Sequence, residues 1–444
     1  MLSDRSGSQK GSATTRPAGL WRSADFLKFW AGETISLLGS QVTTLALPLT
    51  AVIVFKASAI QVGLLYAAGL APFLLITLLV GVWVDHHQRR PILLVSNAGR
   101  AILLGLVPLL AFMGWLRIEY LYVIAFLVGC LTVFFYLAYQ AFLPTLVGRE
   151  HLVEGNSRLS ASQSLAEIGG PGLAGLLVQL VGAPLAIVVD ALSFCVSALS
   201  LLLIHTPESV PEAALKLRDL PREIAEGFRL TFGNRYLLAF AGEAASYNLC
   251  WQVILTIFVL YAVRDLHFNA GLIGILFAVG SVGALLGSLL TGSVARHIGL
   301  GLTIIGAAVL GDLPLLMLPF INGSTTGALG LLGAAFFVQG LGITGCNVHV
   351  DSIRQALIPD RMRGRANACY RLLTSGALPL GALLGGLLGS WIGLRSTLLV
   401  GALGLLSTCL WVVFSPVRKL RTLSTMKAGE PVVDEMAEET CVVE

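Results

Sequence analysis

Hydropathy along the chain resolves into long apolar runs separated by short polar breaks. Helices are predicted over 26–54, 59–82, 91–113, 119–143, 156–180 and 184–204, and again, after a polar stretch, over 236–262, 269–291, 301–320, 326–349, 366–389 and 395–414. A bilayer core needs about 20 apolar residues per crossing helix, and each run supplies roughly that. The runs are continuous where a membrane barrel would alternate. The predicted fold is therefore an all-α membrane protein of 12 transmembrane helices. Its segments are an N-terminal tail over 1–25, six helices within 26–204, a linker over 205–234 marked by Pro207, Pro211 and Pro221, six helices within 235–414, and a tail over 415–444 that reads as disordered.

The pattern repeats. Gly63-Leu-Leu-Tyr-Ala-Ala-Gly69 matches Gly274-Ile-Leu-Phe-Ala-Val-Gly280 at an offset of 211 residues, and the polar break that follows, Gly81 to Arg90, matches Gly292 to Gly299 with its Arg296 and His297. Gln140-Ala-Phe-Leu-Pro144 recurs as Gln355-Ala-Leu-Ile-Pro359, and Ala31-Gly32-Glu33 as Ala241-Gly242-Glu243. A self-match of this kind implies two pseudo-symmetric halves, each burying the same faces. Glycine runs such as Gly169-Gly-Pro-Gly-Leu-Ala-Gly175 and Gly376-Ala-Leu-Pro-Leu-Gly381 permit close helix contact and bending.

Composition narrows the class further. Only 12% of the 444 residues are charged, 56% are apolar and 49 are glycine, too little charge for a water-exposed surface. The net charge of +4 matters through its distribution. Taking the N-terminus as inside puts 24 of the 29 Lys and Arg in inner segments, leaves Lys56, Arg117, Arg264 and Arg395 outside, and places Arg100 within a helix. Both termini and the linker are thus predicted to be cytoplasmic. This is no nucleic-acid footprint. Six of the seven cysteines lie in apolar runs, the seventh being Cys441, and no disulfide framework, metal spacing or cofactor motif is present. The first 20 residues lack the apolar core of a signal peptide.

Four stretches carry a family resemblance. Gly81-Val-Trp-Val-Asp85-His-His-Gln-Arg89-Arg90, between the second and third predicted helices, resembles the loop signature of the major facilitator superfamily of transporters. Phe29 to Gly39, Val189 to Phe194 and Ile358 to Arg365 resemble its drug, macrolide and siderophore (enterobactin) exporter branch. The likeness covers about residues 20 to 420. It implies parallel six-helix halves with a substrate site at their interface near mid-membrane, in the plasma membrane of a bacterium, with a monomer as the working unit. It also implies a latch in which the acidic loop residue meets the N-terminal end of the eleventh helix. Asp85 would then face Arg365 or the amides beside it, where charge and helix dipole both favour an anion. At the 211-residue offset Asp85 becomes Arg296 and Arg365 corresponds to Glu154, so both signs flip together. Chance alignment of exposed loop charges, worth under about 1 kcal/mol each, is the plainer account of that match.

Ionisable groups at membrane depth are the sharpest chemical signal, because a bare charge at the bilayer centre costs roughly 3 kcal/mol on insertion scales. Glu33 and Glu243 lie on helices that line the cavity in the resembled fold. Each either binds a cationic substrate or a proton, or hydrogen-bonds to a neighbouring helix. Gln41 and Gln252, deeper on the same helices, are substrate hydrogen-bonders or packing residues. Glu167, Asp190, Asp312 and Arg100 read as structural membrane charges, with direct anion binding the other role open to Arg100. Tyr139, Tyr247 and Trp251 either stack on a flat substrate or belong to the core or the interfacial belt. His86, His87 and His297 fall in inner loops, facing solvent.

No nucleophile elbow or phosphate-cradling loop occurs, so neither an enzyme nor an ATP-driven pump is expected. A proton is the expected coupling ion, since a buried carboxylate can be neutralised and released as its exposure alternates. The expected partners are a small organic substrate, protons and the bilayer. Proton-coupled efflux is the leading function; a nutrient importer and a non-transporting receptor or lipid-handling protein remain alternatives.

Overall fold

The protein is described by a computed structural model over residues 20, 23–208, 220–323, 326–359 and 362–421. Most of both predicted tails, the middle of the predicted linker, Arg361 and Cys441 lie outside the described residues. The helices are α1 (Ala24–Leu49, continued by a π-helical turn to Val54), α2 (Ala59–Leu75), α3 (Thr77–Asp85), α4 (Arg89–Phe112), α5 (Ile118–Val147), α6 (Leu152–Val181), α7 (Ala183–Leu202), α8 (Leu220–Gly233), α9 (Arg235–Arg264), α10 (Ala270–Ile298), α11 (Leu300–Asp312, continued by a 3-10 segment to Phe320), α12 (Thr326–Leu357), α13 (Arg363–Trp391) and α14 (Leu394–Val413). Eleven are long and apolar enough to cross a membrane, and α2 with α3 makes a twelfth crossing bent by 48°. α1–α7 form one six-crossing half and α9–α14 the other.

Two expectations are corrected. The predicted single helix over 59–82 breaks at Ile76, one turn after Pro72, with a bend of 48° between the two parts. Past the break α3 runs on to Asp85, so Gly81 and Asp85 are helical and the connecting loop shrinks to His86–Gln88. The polar linker likewise contains a helix, α8, which lays Leu230 against Leu237, Ile358 and Ala366 of the second half.

The repeat is expressed in local chemistry. Ser58 caps α2 and Asn269, 211 residues later, caps α10, each side-chain oxygen accepting a backbone N–H of the first turn (3.4 Å from Gln61, 2.9 Å from Leu272). Gly182 and Gly393, at the same offset, make the α6–α7 and α13–α14 turns at φ 86° and 83°, a region that disfavours other residues.

Where the halves meet, backbone lies on backbone. A Cβ on Gly63 would stand 2.7 Å from the Ala382 carbonyl oxygen and 2.8 Å from Gly386 Cα; one on Gly274 would stand 2.5 Å from the Pro171 oxygen and 2.8 Å from Gly175 Cα. These two crossings, α2 on α13 and α10 on α6, are the same contact repeated, since all four positions obey the 211-residue offset. Both lie at the end of the molecule far from the linker. There one continuous apolar core draws on both halves, from Leu45, Val62 and Ile187 to Phe258, Leu276 and Leu332. Toward the linker face the core divides, with one cluster around Phe26, Phe142 and Leu201 and separate ones around Phe240 and Leu237. The halves thus share one apolar core at the far face and have separate ones toward the linker face, where Arg371 of α13 reaches across to the Tyr136 ring of α5 at 4.6 Å.

A polar clasp reinforces the far seam. Arg264, at the end of α9, donates to the carbonyls of Lys56 (2.7 Å) and Ala57 (2.8 Å) in the α1–α2 connection, where Lys56 takes φ 50°. Arg264→Gln is expected to loosen this connection. A charge-assisted hydrogen bond contributes about 1.5–3 kcal/mol, so the Ala57 amide, bonded to the Ala51 carbonyl at 3.0 Å, should exchange with deuterium roughly ten- to hundred-fold faster. Unchanged exchange would mean that the glycine crossings alone hold the seam.

Candidate functional site

Helix α6 forms one wall between the halves, and its sequence has two unlike exposed faces. Ala166, Gly170 and Ala174 are buried toward α1, while Pro171 and Gly175 meet α10. The side facing away from both carries exposed Leu165 (68%), Leu173, Leu176 and Leu180, a lipid-type surface. The side between them carries Asn156, Ser160, Gln163, Ser164 and Glu167, spaced i, i+4, i+7, i+8 and i+11, and every one is exposed. Below the crossing this stripe lines the parting between the halves. Glu167 is accordingly corrected from a structural membrane charge to a group of the cleft wall: it is exposed, and Gln163 one turn away donates to it at 2.9 Å.

The first half buries a mixed-charge cluster. Arg100 of α4 is 5% exposed, lies between the rings of Phe135 (4.3 Å) and Phe194 (4.1 Å), and donates to Asn97, which in turn donates to Ser197 at 2.9 Å. Both Glu33 of α1 and Asp190 of α7 lie within its electrostatic reach. Asp190 accepts from Ser193 (3.1 Å) and Ser40 (3.5 Å), which ties α7 to α1 beside Gly39. Glu33 is 9% exposed, and its Oε2, like Arg100 Nε, has no hydrogen-bond partner. Tyr139 faces Glu33 and stacks on Phe29 at 5.6 Å. Arg100, Asp190 and Glu33 are thus gathered in one buried set.

In the second half Glu243 of α9 and Asp312 of α11 are both buried, and Asp312 lies within electrostatic reach of Glu243. Tyr247, one turn from Glu243, accepts a hydrogen bond from Gln339 at 2.7 Å and stacks on Trp251 at 6.4 Å. Asp312 is thus a neighbour of Glu243, a proximity absent from the sequence reading. The two glutamines occupy packing positions. The stem of Gln41 closes on Gly170 and that of Gln252 on Gly381, again 211 residues apart. Gln252 is buried and gives its amide to Thr256 at 3.4 Å.

At the linker face the sequence-predicted latch residues have other partners. Asp85 ends α3, half-buried, near Arg89 and His86. Arg89 pairs with Glu208 at 3.5 Å, and the Glu208 carboxylate also accepts the amides of Arg89 (2.8 Å) and Arg90 (3.0 Å) at the α4 N-terminus. The Arg90 side chain donates to the Leu201 and Leu202 carbonyls, both at 3.0 Å. Arg365 is bound by Glu226 of α8; Glu154 by Arg158 of its own helix and His151; Arg296 donates to Ser293 at 3.0 Å. Neither the Asp85–Arg365 nor the Arg296–Glu154 pair is formed here, where the far face is the closed one.

Several contributors were not given their roles from the sequence. Gly175 and Gly386 complete the crossings, Arg264 clasps the opposite half, and Arg354 lies buried over the Tyr370 ring at 3.3 Å. The offset that pairs Gly63 with Gly274 also pairs Gly175 with Gly386 and could have flagged them.

A family model described as transmembrane secretion effector matches residues 17–441. The chain is 28% identical over 393 residues to the multidrug efflux pump Tap of Mycolicibacterium fortuitum, covering 87% of this chain and 93% of that one. It is 24% identical over 411 residues to macrolide efflux protein A of Streptococcus pyogenes, covering 90% and 97%. Among solved structures, a bacterial homologue of the iron transporter ferroportin in an inward-facing state superposes with a TM-score of 0.69 at 20% identity, over 89% of this chain and 99% of that one, a likeness of fold.

Removing Arg100 tests the first-half cluster. Taking away one member of a buried charge set costs about 3–5 kcal/mol. Arg100→Met is expected to destabilise the protein by that order in chemical unfolding, and less in a Glu33→Gln background, with a coupling of about 0.5–3 kcal/mol. Strict additivity would show that Glu33 and Arg100 do not interact.

Proposed function

Because this chain belongs to the transmembrane secretion effector family of the major facilitator superfamily, and so is a multi-pass membrane transporter, we propose that it exports amphipathic organic molecules across the cell membrane in exchange for protons, by alternating access and as a monomer. The observation that carries this reading is the division of the core: shared by both halves at the far face, separate at the linker face. Such a molecule offers a cleft to one side of the membrane and a seal to the other. The linker face is the cytoplasmic one in this proposal, with both termini on that side, since 24 of 29 Lys and Arg fall in the segments assigned to it. A cytoplasm-facing cleft is where an exporter loads, and two relatives bear names that denote efflux.

The α6 stripe suits an amphipathic guest. It offers hydroxyl and amide groups along one wall and the Glu167 carboxylate, which favours a cationic head. When the cleft closes, Asp85 exchanges for Glu226 as the partner of Arg365, and Arg296 engages Glu154. Each ligand can shift the balance only by its differential affinity for the two states.

Transport into inverted membrane vesicles tests the proposal, with ethidium as the probe. Ethidium is expected to accumulate when the vesicle interior is acid, and an uncoupler should abolish the accumulation. Glu167→Gln should raise KM for ethidium about tenfold, the equivalent of about 1.4 kcal/mol, and alter export of an uncharged probe little. Accumulation that ignores the uncoupler would contradict proton exchange, and uptake only in right-side-out vesicles would favour an importer; movement in neither would favour a non-transporting protein.

A further inference from the structure

A groove of about 780 Å³ runs between α9 and α14 at the linker face, on the outer surface of the second half. Arg235 and Leu238 form one wall at the start of α9. Ser407, Leu410, Trp411 and Phe414, spaced i, i+3, i+4 and i+7, form the other at the end of α14. Leu403, Leu410, Trp411 and Phe414 are all exposed, an apolar surface of the kind that meets lipid. The Trp411 ring is fixed: it lies so close to Gly242 that a Cβ there would stand 2.7 Å from it, and its N–H donates to Ser246 at 3.1 Å. Arg418 and Lys419 close the groove at its linker end, beside Arg235. The groove is therefore apolar toward mid-membrane and cationic at the face, the polarity of a phospholipid.

The backbone that carries Arg418 and Lys419 is anchored on both sides. Ser415 accepts the Val417 amide at 3.2 Å, and Val417 and Leu420 are buried against Phe240 and Ile304. The carbonyls of Leu420 and Arg421 accept the amides of Gly301 (2.8 Å) and Leu300 (3.3 Å) at the start of α11. Lys28, Arg89, Arg158 and Arg365 of the linker face each have a carboxylate partner. Among the described residues Arg235, Arg418 and Lys419 have none, nor a carbonyl or ring partner, and all three are exposed. The first half does not repeat this charge. Ala24 opens α1 where Arg235 opens α9, and at the 211-residue offset Arg418 and Lys419 correspond to Pro207 and Glu208. Glu208 is spent on the Arg89 and Arg90 amides, and Lys28 on Asp25 (3.0 Å) and the Leu203 carbonyl (2.7 Å).

We propose that this groove binds one anionic phospholipid of the linker-face leaflet, its phosphate among Arg235, Arg418 and Lys419 and an acyl chain along Leu410, Trp411 and Phe414. A guanidinium presents a fork of donors that matches two phosphate oxygens, and the ammonium of Lys419 adds a third point charge. Basic pockets between membrane helices select anionic headgroups in this way. The anchored backbone lowers the ordering cost of binding, because part of the site is in place before the lipid arrives. A free phosphate would meet the same cations but leave the apolar wall unused. The bound lipid joins the first turn of α9 to the segment after α14, and so clamps the second half at the end where the apolar cores of the halves are separate. The inference is independent of what the protein exports.

Native mass spectrometry of the purified full-length protein, titrated in detergent with dioleoylphosphatidylglycerol, tests this without transport. One retained lipid is expected, with an apparent Kd about tenfold below that for dioleoylphosphatidylcholine. Arg235→Gln, and Arg418→Gln combined with Lys419→Gln, should each raise that Kd about tenfold. Arg229→Gln, which removes one charge from an exposed site of α8 outside the groove, should leave it unchanged. The three cations have no partner within the protein, so the lipid-free variants should melt as wild type does; a lower melting temperature would give these residues a structural role instead. Dihexanoylphosphatidylglycerol, the same headgroup on short chains, should bind about tenfold more weakly than the dioleoyl lipid, and glycerol 3-phosphate should not displace it. Equal affinity for the two headgroups, an equal loss in Arg229→Gln, or displacement by glycerol 3-phosphate overturns the proposal. So does a protein that retains phosphatidylglycerol only after Glu430, Asp434, Glu435, Glu438, Glu439 and Glu444 are changed to amides, a result that assigns the groove to the acidic tail of the chain.

Discussion

Everything that distinguishes one end of this molecule from the other depends on two places where a side chain is missing. Gly63 on Gly386 and Gly274 on Gly175 bring helices of opposite halves into backbone contact, with room for no Cβ between them. Dispersion falls off steeply with separation, so contact at this range is what permits a common apolar core at the far face. The Arg264 clasp then only has to span a gap that the glycines have already closed. Because the same crossing occurs twice, related by the repeat, the seam is balanced about the pseudo-two-fold axis. Parting it on one side alone would strain the other.

Burial sets the second constraint, and it acts differently on the two halves. Charges withdrawn from water must be paired or neutralised. In the first half Arg100 supplies the pairing, and the aromatic rings of Phe135 and Phe194 fix its position. The cluster ties α1, α4 and α7 into a rigid unit. The second half has the same helix packing, and among the described residues Glu243 has Asp312, not a guanidinium, within electrostatic reach. A duplicated scaffold thus carries one half in which buried carboxylates face a guanidinium and one in which they do not.

The crossings, the two halves and the position of the repeat were legible because hydropathy is additive along a helix and the duplication preserved spacing. Gly63 and Gly274 stood out for that reason. Their partners did not, since Gly386 and Gly175 lie 323 and 99 residues away in glycine-rich runs that admit many contacts. Hydropathy also averages over the helix surface. It flagged Glu167 as costly at membrane depth yet could not tell that its face looks into a cleft and the face of Leu165 looks outward. The break at Ile76 was obscured because Pro72 sits in an unbroken apolar run, and α8 because its polar residues outweigh its single buried face. The proximity of Glu243 to Asp312 needed the third dimension altogether: the two are 69 residues apart, on helices separated by a third.

The central claim is that the far seam consists of two equivalent glycine crossings, and a distance measurement between the halves tests it most directly. Spin labels at Glu119→Cys and Asn322→Cys, both exposed on the far face, would be placed in a background whose native cysteines have been replaced. Overpacking at either crossing costs about 1–3 kcal/mol, enough to move a two-state ratio by roughly five- to 150-fold. The account predicts that Gly63→Val and Gly274→Val each populate a longer inter-label distance, to a similar extent, and that the double variant does so more than either. A distance distribution that stays at its wild-type value in both variants, or that responds to one and ignores the other, would contradict it.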